Sequence, residues 1–404
     1  MIDHFRDEMA PGAGEDLAIP AWGVGVPSSR PGPRAVARWF SGIAAGAAAA
    51  LAVVALGSGN AGAQDAASAT SADDFGGMEQ LIAAAQEEGE LNVIALPPDW
   101  ANYGKMIDTF AEKYGIEVNS AQPDASSQDE INAANQLRGQ ERAPDVFDLG
   151  GNVALRNTDL FAPYKVATWD DIPDELKDPD GLWVSDYGGY MSIGYDAGSV
   201  PAPTTMDDLL KPEYRGKVAL NGNPTQAAAG FNGVMMAALA NGGSADDIAP
   251  GVEFFRQLKE AGNFLPVDPT PATIASGQTP VVIDWEYLNV AQTEALEGQR
   301  EWKLVVPEGA AVGAFYVQAI NKDAPHPAAA RLWQEFLYSD EGQNIWLQGF
   351  ARPVRIDAMI EAGTVDQEAV ANLPEIKGTP TFLTQDQLAA AQQYLLENWE
   401  QAVE

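Results

Sequence analysis

The amino-acid sequence predicts an α/β protein with two lobes joined by crossing strands. Strand-like and helix-like segments alternate along most of the chain, which is typical of sheets covered by helices. At 404 residues, the chain exceeds what a single hydrophobic core usually holds. The stretch 186–220 leaves one α/β unit through an apolar strand and enters a second unit through another. We therefore place a crossing between the lobes within this stretch.

The first unit is predicted to contain a mainly parallel sheet. Apolar runs predict strands at 91–96, 116–121 and 145–149. Amphipathic spacing predicts helices at 78–88, before Gly115, and at 126–138. Ligands on such sheets bind beyond the carboxyl ends of the strands. That rule nominates Asp99, Trp100, Tyr103, Gly150, Gly151 and Asn152.

The second unit repeats the alternation of strands and helices, and one of its later strands could return to the first lobe. Strands are predicted at 217–220, 279–283, 301–306 and 313–320, the last of which could return to the first lobe. Helices are predicted at 226–240, 251–261, 327–347 in two pieces, and 385–403. Thr225 is the predicted cap of the helix that starts near Gln226, and the free N–H groups there would face the cleft.

An aromatic residue beside an acid recurs at three predicted strand ends. The groups are Asp99-Trp100 with Tyr103, Asp186-Tyr187 with Tyr190, and Asp284-Trp285 with Tyr287. Faces of Trp and Tyr attract organic cations by about 0.5–2 kcal/mol each, and carboxylates add charge-assisted hydrogen bonds. The alternative is that some of these aromatic residues belong to the core and their acids are simply solvated.

Composition excludes several kinds of chemistry. The chain has no cysteine, which excludes disulfides, thiolate catalysis and thiolate metal sites. Of its two histidines, only His326 follows the predicted signal segment. One histidine is too few for a histidine-based metal cluster, and the sequence offers little for a Ser-His-Asp catalytic relay. No nucleotide-binding glycine motif is present. We expect no enzyme activity, no metal and no cofactor, and a capping or surface role for His326.

The chain is strongly acidic, with a formal net charge of −35. Such a surface repels nucleic-acid phosphates and anionic lipids, so both are poor partners. It would favour a cationic ligand, and it equally suits a general adaptation to high salt. The global charge does not separate the two interpretations.

The N-terminal region has the parts of a secretory signal. Arg30, Arg34 and Arg38 precede the apolar run 39–57, and Ala61-Gly62-Ala63 supplies a small-residue cleavage site. An uncleaved membrane anchor is the alternative, because the run is nearly long enough to span a bilayer. The segment 1–29 is long and acidic for a signal, which a start codon assigned too far upstream would explain. We expect cleavage near Ala63 and a disordered leader at 64–77.

Three segments resemble extracellular solute-binding proteins of ABC importers, especially the relatives that bind spermidine/putrescine or iron. These segments are 188–196, 206–216 (MDDLLKPEYRG) and 321–343. The resemblance implies a type II periplasmic-binding-protein fold, with two lobes hinged by crossing strands that close on a small solute. It also implies a membrane permease as partner and a periplasmic or secreted location. We expect the protein to be a monomer.

Within this resemblance, Trp100-Ala101-Asn102-Tyr103 is similar to the W-x-x-Y pattern that lines the amine channel of polyamine binders. Trp285 looks like the aromatic residue that follows the late strand of the second lobe. Gln226 and Tyr316 stand where polyamine binders place acids, so a polyamine would depend on Asp186 or Asp284 instead. Iron-binding relatives use adjacent tyrosines, and this chain has no Tyr-Tyr pair. Tyr187, Tyr190 and Tyr316 could still be recruited from separate segments.

The resulting hypothesis is capture of a polyamine or other organic cation between two lobes. The predicted ligand-binding residues are Asp99, Trp100, Tyr103, Asn152, Asp186, Tyr187, Tyr190, Gln226, Asp284, Trp285, Tyr287 and Tyr316. The predicted divisions after residue 77 are 78–190 and 313–350 for the first lobe, 191–312 for the second, and 351–404 for a C-terminal helical segment on the second lobe. The alternatives are ferric ion or another small solute and, from another class, a secreted glycan hydrolase that uses two carboxylates.

Overall fold

The computed structural model describes residues 66–375 and 379–403. The N-terminal extension, the signal peptide and the cleavage site predicted within residues 1–63 lie outside these ranges. Within them, no helix is both long and apolar enough to cross a membrane.

Thirteen α-helices lie wholly within the described ranges, and most of those predicted are present. They are α1 (Met78–Glu88), α2 (Tyr103–Tyr114), α3 (Ser127–Leu137), α4 (Gly151–Ala154), α5 (Ala228–Ala240), α6 (Ala249–Glu260), α7 (Pro271–Ser276), α8 (Glu286–Ala295), α9 (Pro327–Leu337), α10 (Asp340–Gln348), α11 (Ile356–Ala362), α12 (Gln367–Ala371) and α13 (Gln385–Val403). Local capping sets several boundaries: Ser126 caps α3 through the N–H of Asp129, and Ser339 separates α9 from α10. Thr225 does not cap α5, because the helix starts only after Ala227 and has no side-chain cap.

Ten strands lie in the same ranges. They are β1 (Glu90–Ile94), β2 (Glu117–Ala121), β3 (Val146–Gly150), β4 (Phe161–Ala162), β5 (Val184–Asp196), β6 (Val218–Leu220), β7 (Val281–Trp285), β8 (Trp302–Val305), β9 (Gly313–Asn321) and β10 (Arg352–Pro353). Single turns of 3₁₀ helix occur at Ala72–Phe75, Thr158–Leu160, Trp169–Asp171, Asp174–Leu176, Met206–Leu210 and Pro212–Tyr214.

The long strand β5 connects two groups of strands. From Val184 to Tyr190 it pairs with β9 and β10, and from Met191 to Asp196 it pairs with β7 and β8. Strand β9 also pairs with β3 and β4, whereas β7 pairs with β6. We call the elements around β1–β4 and β9 the first lobe, and those around β6–β8 the second lobe. Strand β5 crosses between them.

The sheets are mixed, as predicted, but they are not mainly parallel. Among the described strands only β1–β2 and β6–β7 pair in parallel, and these are the pairs connected through a helix. The pairs that involve β5 and β9 are antiparallel. The difference arises because β5 and β9 each lie between neighbouring strands that run in the opposite direction.

Close packing at the crossing explains one of its glycines. A Cβ on Gly189 would lie 2.5 Å from Oε2 of Glu286 and 2.6 Å from the ring of Tyr287. Both residues belong to the first turn of α8. The backbone N–H of the adjacent Tyr190 donates to Glu286, which also pairs with Arg352 of β10. The absence of a side chain at Gly189 therefore lets α8 dock directly on the crossing strand.

The predicted disordered leader is wrong from Ala66 onward. Ala66 and Ala69 are buried, and the buried side chain of Arg331 donates to the carbonyl oxygens of Ala67 and Ala69 at 2.8 Å each. A buried guanidinium needs acceptors. The leader supplies them, and this is a tertiary contact that its small, polar sequence does not reveal.

The C-terminal segment contacts more than the second lobe. Trp399 of α13 packs against Phe255 of α6, with ring centroids 5.3 Å apart. The amide of Gln392 accepts from Asn152 of α4 and donates to the carbonyl of Thr225, which precedes α5. Helix α13 therefore touches both lobes, because a polar residue on its buried face reaches across between them.

Candidate functional site

A cavity of about 650 Å³ lies where the strand ends of the two lobes meet. On the first-lobe side it is lined by the segment after β1, the loop after β2, the start of α3, and β3. On the second-lobe side it is lined by the segment after β6, the start of α5, the loop 268–271, the end of β7, and α8. Tyr316 of the returning strand β9 completes the wall. This volume is typical of small-molecule sites.

The cavity wall carries many carboxyl groups and no basic group. Seven lining residues are acids: Asp99, Asp124, Asp129, Glu130, Asp148, Asp268 and Asp284. None of the lining residues is lysine, arginine or histidine. Glu130, Asp148 and Asp284 are buried, whereas the other four acids are exposed. The field inside such a cavity attracts cations and repels anions.

Asp148, in the middle of β3, is the most tightly held of these acids. Its Oδ2 accepts from the hydroxyls of Tyr103 and Tyr187, at 2.6 and 3.0 Å. Burial raises the pKa of both phenols well above their usual value, so they remain protonated donors. Oδ1 of Asp148 is buried without a hydrogen-bond partner among the described residues. The oxygen Oδ2 is thus held by two phenol hydroxyls, whereas Oδ1 has no hydrogen-bond donor among the described residues.

Burial also raises the pKa of the acids around Asp148. Desolvation raises the pKa of Asp148 to about 7, although the two phenols act in the opposite direction. The pKa of Glu130 lies well above its usual value because of burial and the nearby charge of Asp148, even though Glu130 accepts from the backbone N–H of Asp148. Burial and the same charge raise the pKa of Asp186. These acids favour neutrality unless a cation is present.

Asp284 supplies a second buried carboxyl group, at the end of β7. Its Oδ1 accepts from the backbone N–H of Trp285 at 2.8 Å. Burial raises its pKa to about 7, although hydrogen bonds from Asn221 and Trp285 act to lower the pKa. Each lobe therefore contributes to the cavity a buried acid whose pKa is raised to about 7.

Five aromatic rings pack together beside Asp148. Tyr316 stacks on Tyr187, with ring centroids 5.4 Å apart and planes 9° apart. Trp100 meets Tyr316 edge to face at 5.8 Å, and its Nε1 donates to the hydroxyl of Tyr187 at 2.9 Å. Trp285 stacks on Tyr287 and donates to the hydroxyl of Tyr316 at 3.3 Å. Of these rings, only Trp100 and Tyr316 line the cavity.

Strained backbone is concentrated around the cavity. Of the five non-glycine residues with positive φ in the described ranges, four are Ala95 (58°), Ala101 (44°), Asn102 (68°) and Gln122 (44°), and the fifth, Phe350 (65°), does not line the cavity. Ala95 lines the cavity, and the other three lie within two residues of the lining residues Trp100 and Pro123. Such conformations cost about 1–3 kcal/mol each and cluster at functional sites. Here they shape the loops that present Trp100 and Asp124.

The model of the bacterial extracellular solute-binding protein family matches residues 144–389, more than half of the chain. The chain belongs to this family. Proteins of this family bind solutes and are not catalysts, so this solute-binding protein is a component of ABC transport of small solutes. Membership also implies a periplasmic or extracellular location.

Solved structures share the fold at low identity. AgtB from A. tumefaciens R10, in complex with agropinic acid, has a TM-score of 0.63 at 14% identity, over 78% of this chain and 98% of its own. Iron-bound HitA from Pseudomonas aeruginosa has a TM-score of 0.56 at 19% identity, over 78% and 99%. A Listeria monocytogenes protein named for spermidine/putrescine ABC transport has a TM-score of 0.58 at 14% identity, over 76% and 98%. The two-lobed type II fold predicted from the sequence is confirmed.

The cavity brings together five of the twelve predicted ligand residues. These lining residues are Asp99, Trp100, Gln226, Asp284 and Tyr316. Asp99 and Gln226 are exposed, Trp100 is half-buried, and Asp284 and Tyr316 are buried. They come from both lobes and from the returning strand β9.

Five other predicted residues lie behind the cavity wall. Tyr103, Asp186, Tyr187, Trp285 and Tyr287 are at most 1% exposed and do not line the cavity. Tyr103 and Tyr187 hold Asp148, and Trp285 holds the hydroxyl of Tyr316. Asp186 accepts from Gln318 at 2.9 Å. These residues support the wall because their strands and helix turn them toward the core.

The last two predicted residues lie elsewhere. Tyr190 packs against Phe382 and under the guanidinium of Arg352, 4.7 Å from its ring centroid. Asn152 of α4 is buried against α13, where its side chain donates to Gln392 at 3.0 Å. Neither residue lines the cavity.

Sequence reasoning missed Asp148, Glu130, Asp124, Asp129 and Asp268. The signal for Asp148 was a lone carboxylate within an otherwise apolar strand, Val146–Gly150. Asp129 and Glu130 looked like ordinary acids in the first turn of a helix, and Asp129 does take part in a capping box with Ser126. Asp124 and Asp268 each adjoin a proline in a loop, a pattern that predicts a turn rather than a site.

The described ranges contain no group of three or more histidine, aspartate or glutamate side chains arranged to hold a metal ion. Of the three tyrosines considered for iron, only one lines the cavity. Tyr316 lines the cavity, the hydroxyl of Tyr187 is bonded to Trp100 and Asp148, and Tyr190 lies under Arg352.

Proposed function

We propose that this solute-binding protein captures a small organic solute that bears at least one amine, such as a polyamine, and delivers it to a membrane permease. The observation that carries the proposal is a cavity wall with seven carboxyl groups and no basic side chain. Trp100 and Tyr316 add aromatic surface on which an organic cation can lie. The ligand would contact both lobes only when they are closed, so binding would favour the closed state.

The proposal includes the processing and the division of the chain. Cleavage near Ala63 would release the protein from its signal peptide. The lobe limits predicted from the sequence place 78–190 and 313–350 in the first lobe and 191–312 in the second. The change of partners along β5 between Tyr190 and Met191 supports the first of these limits. The protein would act as a monomer.

Two other ligand classes have weaker support. The uncapped start of α5 lines the cavity and would favour an anionic group, but a purely anionic solute would also face seven carboxyl groups. A zwitterion with an amine remains within the proposed class. Ferric ion would need oxygen ligands from tyrosines of which only Tyr316 lines the cavity.

A thermal-shift screen tests the proposal. The purified protein would be heated with putrescine, spermidine, choline, thiamine, ferric citrate or sodium phosphate at one ionic strength. We expect stabilisation by at least one amine and none by phosphate. Stabilisation by ferric citrate or phosphate alone would reject the amine class.

A pair of matched variants distinguishes the contribution of the cavity acids to amine binding from that of the overall charge. Asp284→Asn removes a carboxylate from the cavity wall, whereas Asp207→Asn removes one from an exposed site outside it. We expect the first substitution to weaken amine binding roughly tenfold and the second to leave it unchanged. Equal effects would mean that the amine responds to global charge.

A further inference from the structure

The carboxylate of Asp148 is unevenly satisfied. Its Oδ2 accepts two phenol hydrogens, whereas its Oδ1 has no partner among the described residues. Asp148 is 7% exposed and lines the cavity. A buried acceptor without a donor is costly, and such groups in native proteins call for an explanation.

The partners of Oδ2 prevent the carboxylate from satisfying both oxygens by rotating. The hydroxyl of Tyr187 donates to Oδ2 and accepts from Trp100 Nε1 at 2.9 Å. The hydroxyl of Tyr103 donates to Oδ2 and accepts from Gln318 Nε2 at 3.1 Å. Each phenol therefore has its only hydrogen committed to Oδ2. No donor from this network is left for Oδ1.

We propose that Asp148 selects solutes whose amine carries N–H donors, that is, primary or secondary ammonium groups, over quaternary ammonium ions of the same charge. This inference rests on the proposed binding of an amine at the cavity. An N–H donor would satisfy Oδ1, while the rings of Trp100 and Tyr316 lie beside the same group. A quaternary ammonium ion has no N–H, so it would gain the attraction of the charge and the rings but leave Oδ1 unsatisfied.

A pair of probes with equal charge and the same carbon chain tests this selectivity. Putrescine carries two primary ammonium groups, and its hexamethyl derivative carries two trimethylammonium groups. By isothermal titration at pH 8 and constant ionic strength, we expect putrescine to bind roughly 5- to 150-fold more tightly, the range that corresponds to the cost of an unsatisfied buried acceptor.

Variants assign the selectivity to Asp148. In Asp148→Asn, which has nearly the same shape, putrescine should lose most of its affinity and the ratio of the two dissociation constants should fall toward one. In Asp284→Asn both probes should weaken and the ratio should persist. Tyr187→Phe removes one bond to Oδ2 and should lower the ratio partly. This third variant, with a thermal-unfolding check on each protein, serves if Asp148→Asn does not fold.

The outcomes separate this inference from the proposed function. Equal affinity of the two probes for the unmodified protein would overturn the selectivity and leave amine binding in place. An unchanged ratio in Asp148→Asn would also overturn it, since another group would then be selecting. Binding of neither probe, together with no stabilisation by any amine in the thermal-shift screen, would overturn both proposals.

Discussion

Trp100 is the residue on which stacking of an organic cation most depends. It is half-buried, lines the cavity, and is held by Tyr187 through its indole N–H. Positive φ angles at Ala101 and Asn102 determine where the loop places it. The backbone strain and the hydrogen bond together hold the ring in place before any ligand arrives, which lowers the entropic cost of binding.

We expect Trp100→Ala to weaken amine binding by roughly 2- to 30-fold, the range for one cation–π contact. Trp100→Phe keeps an aromatic face but loses the N–H, so its loss should be smaller. Trp169, which lies outside the cavity, provides the matched control. Isothermal titration with an amine from the thermal-shift screen gives the affinities. The stacking role is wrong if Trp100→Ala binds as tightly as Trp169→Ala.

At the residue scale, the sequence predicted the aromatic part of the site better than its acids. Asp99, Trp100 and Asp284 were nominated through their position at strand ends, with the resemblance adding to Trp100, and Tyr316 was nominated through the resemblance. Asp148 was missed because its role depends on hydrogen bonds from two tyrosine hydroxyls that lie 45 and 39 positions away in sequence. Strand periodicity alone gives no sign that an acid will be held in this way.

Helix α13 connects the two lobes at the element scale. Gln392 is 1% exposed, accepts from Asn152 at 3.0 Å and donates to the carbonyl oxygen of Thr225 at 2.9 Å. A second close approach occurs nearby, because a Cβ on Gly150 would lie 2.5 Å from the Cβ of Ala228. Both contacts hold the first lobe against the start of α5 in the second lobe.

We expect Gln392→Ala to shift the unliganded protein toward an open state. The substitution removes two hydrogen bonds of about 0.5–1.5 kcal/mol each, so amine affinity should fall roughly fivefold or more. Small-angle X-ray scattering should show a larger radius of gyration without ligand and the normal value at saturation. The exposed neighbour Gln393→Ala should change neither quantity. If both variants scatter alike, Gln392 has no part in closure.

Most elements could be predicted because their signals are local. The helix predicted at 385–403 is observed with the same limits, and the strand predicted at 313–320 is observed one residue longer. Strand direction could not be predicted, since periodicity reveals which residues are buried but not which strands pair. The contact of α13 with both lobes was missed for a similar reason: an amphipathic pattern shows a buried face, not what covers it.

At the scale of the whole molecule, the acidity has a global and a local part. The formal net charge is −35, and an acidic surface alone suits high salt as well as a cationic ligand. The cavity differs from the surface because its acids are partly buried, with the pKa of Asp148 and Asp284 raised to about 7 by desolvation. These buried acids therefore couple the binding of a cationic ligand to the release of protons.

The unliganded protein should lose stability as pH rises from about 4 through 7. Over this range the native state holds protons on Asp148 and Asp284 that the unfolded chain, with an ordinary aspartate pKa of 3.8, has already released. The folded state therefore binds more protons, and the free energy of unfolding falls with pH. A bound ammonium ion lowers both pKa values, so stabilisation by an amine should grow between pH 5 and pH 8.

Thermal unfolding at pH 5, 6, 7 and 8, with and without putrescine, measures this linkage. Salt at about 0.5 M shortens the range of surface repulsion, which would otherwise produce a similar trend. The double variant Asp148→Asn, Asp284→Asn should show a flatter pH profile without ligand and little growth of the putrescine effect. Some slope should remain, since burial also raises the pKa of Glu130 and Asp186. A profile as steep as that of the unmodified protein would show that the proton linkage resides outside the cavity.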